Sequence, residues 1–164
     1  LSGLQAEERQ RLSKIAGDRR QTQIGAAAEE LSRLNSGSAG SSGSKRARLA
    51  VQYALAQVGE PYSFSARPPD SWDCSKLTTA AWGKSGVGLT PLSFTQWDQT
   101  RRVPVSKIRP GDLVFYFGRG AHHVAIYIGG GKMVSASNPS DGVEIIDFLG
   151  PWYKERFSGV GRVF

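Results

Sequence analysis

Apolar and polar residues alternate along this chain with two different periods, and the change from one to the other divides it. In residues 24 to 34, Ile24, Ala27, Ala28, Leu31 and Leu34 recur at helical spacing and form a narrow apolar stripe of the kind that seeks a partner helix. Upstream, Leu4, Leu12 and Ile15 continue it less regularly. Residues 1–35 are rich in Ala, Glu, Gln, Arg and Leu and lack proline, so they predict a helix or helical hairpin, part of a longer coiled coil. "SGSAGSSGS", residues 36–44, has almost nothing to bury and predicts a flexible tether. A folded domain is expected over 45–164. It opens with "KRARLAVQYALAQVGE", where Leu49, Tyr53, Ala56 and Val58 suit an amphipathic helix ended by Gly59 and Pro61. "DCSKLTTAAWGKSG" predicts a second helix closing near Gly86, and a short helical turn is expected around Phe94 to Gln99.

Beyond that turn the period falls to two. "DLVFYF", "HHVAIYIG" and "KMVSAS" are short strand-like runs separated by the turn sequences "GRGA" and "GGGK", and "GVEIIDF" and "GVGRVF" are two more. Helices followed by an antiparallel meander define an α+β domain in which a helix packs on one face of a small antiparallel sheet.

The 164 residues suit one domain with an appendage. The net charge of +7 raises the question of nucleic acid, but basic residues stand singly or in pairs such as Arg101 and Arg102, without a dense cluster or recognised motif. A broadly positive surface suits a polyanionic cell envelope instead, and no nucleic-acid partner is expected. No apolar run approaches the roughly 20 residues that cross a bilayer. The start carries no signal-peptide pattern, and the chain begins with Leu, which reads as a processed fragment whose export signal lay upstream.

Candidate chemistry begins with Cys74, the one cysteine, which excludes an intramolecular disulfide and leaves either an inert or a reactive thiol. Asp73 stands where an N-cap belongs, so Cys74 falls in the first turn of a helix. Free N–H groups and the helix dipole there favour a thiolate, an expected lowering of a pKa otherwise about 8.5. The same N–H groups could hold an oxyanion beside the sulfur. Position alone leaves the inert and reactive readings both open.

A nucleophilic thiol needs a base, and the chain has two histidines, His122 and His123. Strand parity separates them: His122 shares a face with Val124, Ile126 and Ile128, whereas His123 shares the other with Ala125 and Tyr127. The first face is apolar and predicts contact with the core, leaving His122 at its rim. The second is expected to be more open, and His123 on it is the candidate base. The alternative is a pair of exposed turn histidines.

A third group should orient the imidazole. With an odd-numbered loop at "GGG", Ser135 and Ser137 fall on the face of His123, and Ser135 becomes the candidate orienter, against the alternative of an ordinary surface serine. Asp112 in "RPGDLVF" is a turn residue and is assigned to structure. No metal site is expected, because adjacent strand histidines cannot both point into one site and no carboxylate cluster has ligand spacing. No glycine motif calls for a phosphate or cofactor.

Taken together these segments resemble the NlpC family of papain-like bacterial cell-wall endopeptidases. "WDCSKLTTAAW" looks like the nucleophile segment, "IRPGDLVFYF" like the strand opening, "HHVAIYIGGGKMVSAS" like the histidine strand and hairpin, and "GEPYSF" like the segment before the nucleophile. The resemblance runs from about Arg46 to Phe164. It implies a papain-like fold with Cys74 as nucleophile, His123 as base and Ser135 as third member, with Tyr62, Asp73 and Ser75 supporting them. It further implies hydrolysis of a peptidoglycan stem peptide between γ-D-glutamyl and diaminopimelyl residues, outside the cytoplasm and without a cofactor. Two positions depart from the family pattern: Lys76 stands where glycine is usual, and Ser135 where histidine or another strong polar group is usual. Those departures keep two alternatives in view, a weakly active or non-catalytic peptidoglycan-binding module and a cysteine amidase or acyltransferase acting on the wall. Residues 1–35 are expected to bind either the catalytic domain or a separate partner.

Overall fold

A computed structural model describes residues 2–36, 42–118 and 122–163 of the chain. Most of the expected tether, residues 37–41, and most of the "GRGA" turn lie outside the described residues.

Helix α1 runs unbroken over Ser2–Ser36, one helix rather than a hairpin, and α2 over Ser42–Ala56. The stripe on α1 finds its partner within the chain, since α1 packs on α2. Ala27 is buried and Ile24, Leu31 and Leu34 are half-buried, but Ala28 faces solvent. Helix α1 also passes close to the turn after α2, where a Cβ at Gly59 would stand 2.7 Å from Ile24 Cγ1. On α2 the buried face is Ala50, Val51, Ala54 and Leu55. Of the four positions expected on this face, Val58 is buried and Tyr53 is half-buried against the core, whereas Leu49 is 45% exposed and Ala56 is exposed. Both choices fit helical spacing, and only the position of the sheet decides between them.

Helix α3 spans Cys74–Gly83 and α4 spans Ser93–Gln99, both where expected. Among the described residues six strands form one antiparallel sheet: β1 (Arg101–Val103), β2 (Leu113–Tyr116), β3 (His123–Gly129), β4 (Lys132–Ala136), β5 (Val143–Asp147) and β6 (Phe157–Arg162). A short helix, α5, covers Pro151–Lys154 between the last two. The meander β2-β3-β4-β5 is as expected, but β6 crosses back to pair with β2, giving the order β1-β6-β2-β3-β4-β5. The edge strand β1 has no sequence counterpart among the expected strands. It is three residues long, with Arg101 and Arg102 exposed.

The two sheet faces bury different cores. One packs Val124, Ile126, Leu113 and Phe115 against α2 and, on α3, Leu77, Ala81 and Trp82. The other packs Val114, Tyr116, Ala125, Tyr127 and Met133 with Phe148 and Val160, edged by Tyr153 and Phe157. The face carrying His123 is therefore covered rather than open, because the chain between β5 and β6 folds back over it. No helix among the described residues is long and apolar enough to cross a membrane.

Candidate active site

Asp73 adopts extended backbone (φ −107°, ψ 175°) and its carboxylate accepts from the Lys76 N–H at 2.8 Å, capping α3 as the sequence implies. Cys74 is the first residue of α3 and half-buried. The backbone N–H groups of Val124, Ser75 and Cys74 itself lie near enough to its sulfur to favour the thiolate. Helix α3 thus delivers the thiol to the start of β3, beside the residue that follows His123. The expected lowering of its pKa does not follow. Burial pushes the thiol up, more than the three N–H donors pull it down, and the Asp73 carboxylate adds to the rise.

The residues around Cys74 are held firmly. Ser75 Oγ donates to Pro91 O at 3.0 Å, and Lys76 Nζ donates to Ala66 O at 3.0 Å, tying the loop before α3. Lys76 thus makes a structural bond where glycine would make none. Gln96 of α4, fully buried, donates to Ser75 O at 3.0 Å and Thr90 O at 2.8 Å and accepts from Thr78 Oγ1 at 2.6 Å. Tyr62 bridges to Trp72 and lies close enough to Cys74 and Asp73 for their charges to raise its own pKa, although burial raises it most.

His123 is 8% exposed, with ring centres of Tyr116 and Tyr153 at 5.7 and 6.0 Å. Its Nε2 lies 2.9 Å from Ser135 Oγ. Burial pushes the imidazole down to about 4, so it is neutral at neutral pH. His122 is exposed and packs edge-on to Phe117, 6.0 Å away.

The pairing of His123 with Ser135 follows from the hairpin. Gly130 and Gly131 (φ +62° and +78°) form its two-residue turn, a conformation that glycine adopts without strain. A register irregularity between Tyr127 and Gly129 adds the parity of an odd loop. Ser135 therefore emerges on the His123 face. Ser137 does too, its Oγ 3.0 Å from Ser135 Oγ. Asp112 is structural, as expected: it accepts from the Arg109 N–H at 2.8 Å and from Arg162 through both oxygens at 2.9 Å.

The fold thus brings two groups to adjoining elements: a thiol at the start of α3, and at the start of β3 a neutral, buried imidazole bonded to a hydroxyl. Three neighbours escaped the sequence reading: Gln96, Tyr153 and Glu144. None has a local signature: Gln96 comes from α4, Tyr153 from α5, and Glu144 from the strand paired with that of Ser135.

Residues 59–162 match the NlpC/P60 family. The chain belongs to that family. The probable endopeptidase p60 of Listeria grayi is 38% identical over 123 residues, 73% of this chain and 24% of its own. The chain therefore spans about a quarter of the length of such curated relatives. The NlpC/P60 fold is equally plain in solved structures. The P60 domain of a Mycobacterium avium subspecies paratuberculosis antigen superposes with a TM-score of 0.65 at 25% identity, covering 74% of this chain and 96% of that one. RipD from Mycobacterium tuberculosis superposes at 0.64 with 22% identity over 73% of this chain and 98% of its own. RipD is described as a non-catalytic NlpC/p60 domain adapted to binding peptidoglycan, so within this fold the scaffold alone does not establish chemistry.

Proposed function

We propose that this domain is a peptidoglycan hydrolase that cleaves a stem-peptide bond through Cys74 and His123. The observation that carries the reading is the packing of α3 on β3, with Cys74 first in the helix and His123, buried and bonded to Ser135, first in the strand. Membership of a family whose relatives are named probable endopeptidases supports it.

On this reading the resting pair is neutral. With Nε2 committed to Ser135, His123 Nδ1 takes the thiol proton as sulfur attacks the scissile carbonyl carbon. Charge on the tetrahedral oxygen develops beside the N–H groups at the start of α3. The imidazolium then protonates the leaving amine, and water, deprotonated by the same nitrogen, releases the acyl group from sulfur. The finer assignment, the γ-D-glutamyl to diaminopimelyl bond, follows the resemblance of the motifs. Such a substrate places the protein outside the cytoplasm, and its +7 charge suits an anionic wall.

Purified muropeptides incubated with the wild type and with Cys74→Ala test the reading, with products weighed by mass spectrometry. The wild type is expected to cut within the stem and the variant not at all. Products still carrying the whole stem would indicate an amidase or transferase. A second reading, a binding module without turnover, rests on the short hydroxyl at Ser135, and equal negligible cleavage with retained binding would establish it.

A further inference from the structure

Behind Ser135 lies a buried polar cluster that the proposed reaction does not use. Glu144 is buried and stands directly across from Ser135 in the β4–β5 ladder. Ser137 and Glu144 line one cavity with His123 and Tyr153. Burial raises the Glu144 pKa, and the nearby Ser137 hydroxyl draws it back down, while among the described residues Glu144 Oε2 is buried without a hydrogen-bond partner. Tyr153 lines the same cavity; burial raises its pKa, and the nearby Ser137 and Ser135 hydroxyls draw it down. From α1, Arg19 reaches Glu144 Oε1 at 3.9 Å and Asp141 at 2.9 Å.

A serine is an ambiguous partner for an imidazole, because its hydroxyl both donates and accepts. Accepting from Nε2–H leaves Nδ1 bare and able to take a proton. Donating to a bare Nε2 puts the ring proton on Nδ1, where it blocks the base. A second hydroxyl at 3.0 Å passes on the same ambiguity rather than removing it. A phenol such as Tyr153 is ambiguous for the same reason. An ionised carboxylate is acceptor-only, so placed at the far end it sets every donor in one direction.

We propose that Glu144 is a positioning residue that acts through Ser137 and Ser135 to hold His123 in the tautomer protonated on Nε2. In that order, Ser137 donates to Glu144, Ser135 donates to Ser137, and Ser135 accepts from His123. Glu144 thereby supplies through two hydroxyls the orienting charge that a single short Ser135 side chain lacks. The inference rests on the reading of His123 as the base, and its test separates the two.

The full chain labelled with 15N, observed at pH 7 by long-range proton–nitrogen correlation of the imidazoles, reports the tautomer directly. The wild type is expected to show His123 as Nε2–H. In Glu144→Gln, whose amide donates as well as accepts, and in Ser137→Ala, which cuts the relay, the Nδ1–H form is expected to appear. For muropeptide cleavage, kcat should fall about tenfold in each with KM unchanged, a part of the roughly 10²- to 10⁴-fold that a positioned base supplies. A wild type protonated on Nδ1, or two variants with the wild-type tautomer, overturns the relay. A changed tautomer with undiminished kcat overturns the positioning role. Cys74→Ala run in parallel separates the readings: its continued activity beside a shifted tautomer removes the thiol reaction and leaves the relay, whereas its inactivity beside an unchanged tautomer does the reverse.

Discussion

Lowering the pH should destabilise this domain through His123 by an amount that can be worked out in advance. The ring is enclosed by Tyr116, Tyr153 and Ser135, and burial holds it near 4 against an ordinary value of 6.5. The folded state binds the proton more weakly than the unfolded chain, so the stability contributed by neutral His123 is fully present above 6.5. It is lost as pH falls through the folded value near 4. Each pH unit between the two is worth about 1.4 kcal/mol, and the full transition about 3 kcal/mol. Urea denaturation of the wild type and His123→Gln at pH 7 and pH 4.5 isolates the effect, because the carboxylates titrate in both proteins and cancel in the comparison. The wild type should lose roughly 2–3 kcal/mol more than the variant over that interval. Equal losses would refute the argument, since they would mean that the imidazolium is accommodated in the fold as easily as in water.

Two further outcomes follow from the nucleophile side. Alkylation of Cys74 by iodoacetamide should climb over a higher pH range than that of a free thiol, because burial raises the group; a rate already flat at pH 7 would reveal a standing thiolate. Gln96→Ala should cost about 1–3 kcal/mol in urea denaturation, since it removes a fully buried side chain and its bonds to Thr78 Oγ1, Ser75 O and Thr90 O, each of which keeps one other bond. It should also lower turnover, by loosening Ser75 and the start of α3. A loss below about 0.5 kcal/mol would remove Gln96 from any role in holding the nucleophile.

What could be read from the sequence was what local geometry determines. The Asp73 cap needs only three residues of chain, and the face shared by His123 and Ser135 needs only strand parity and one hairpin. The errors arose where distant segments decide. His123 looked open because its strand neighbours, Ala125 and Tyr127, are not strongly apolar, yet Phe148 and Tyr153 close over that face from beyond β5. The return of β6 to β2 leaves no local mark, and β1 exists because β6 offers it an edge. Leu49 and Ala56, expected with Tyr53 and Val58 on the core face, are exposed, an ambiguity inherent in a helix whose small residues recur on several sides. Glu144 was invisible because its partners Ser135, Ser137 and Arg19 come from two other segments, one of them across a ladder and one across the domain.

Burial raises the thiol and lowers the imidazole, and the two shifts act together against a resting ion pair. On the proposed reading, the charges of the reaction must then be created within the catalytic step. Their stabilisation falls to groups already in place: the N–H groups of Cys74, Ser75 and Val124 on the sulfur side, and the Ser135–Ser137–Glu144 relay behind the imidazole. Such groups favour the charged transition state over the neutral ground state, the difference that accelerates a reaction. Ser135 in place of a stronger orienter therefore does not by itself imply an inactive domain. A hydroxyl backed by a carboxylate can steady an imidazolium as it forms, while the neutral resting pair keeps the thiol protonated until a substrate carbonyl is in reach.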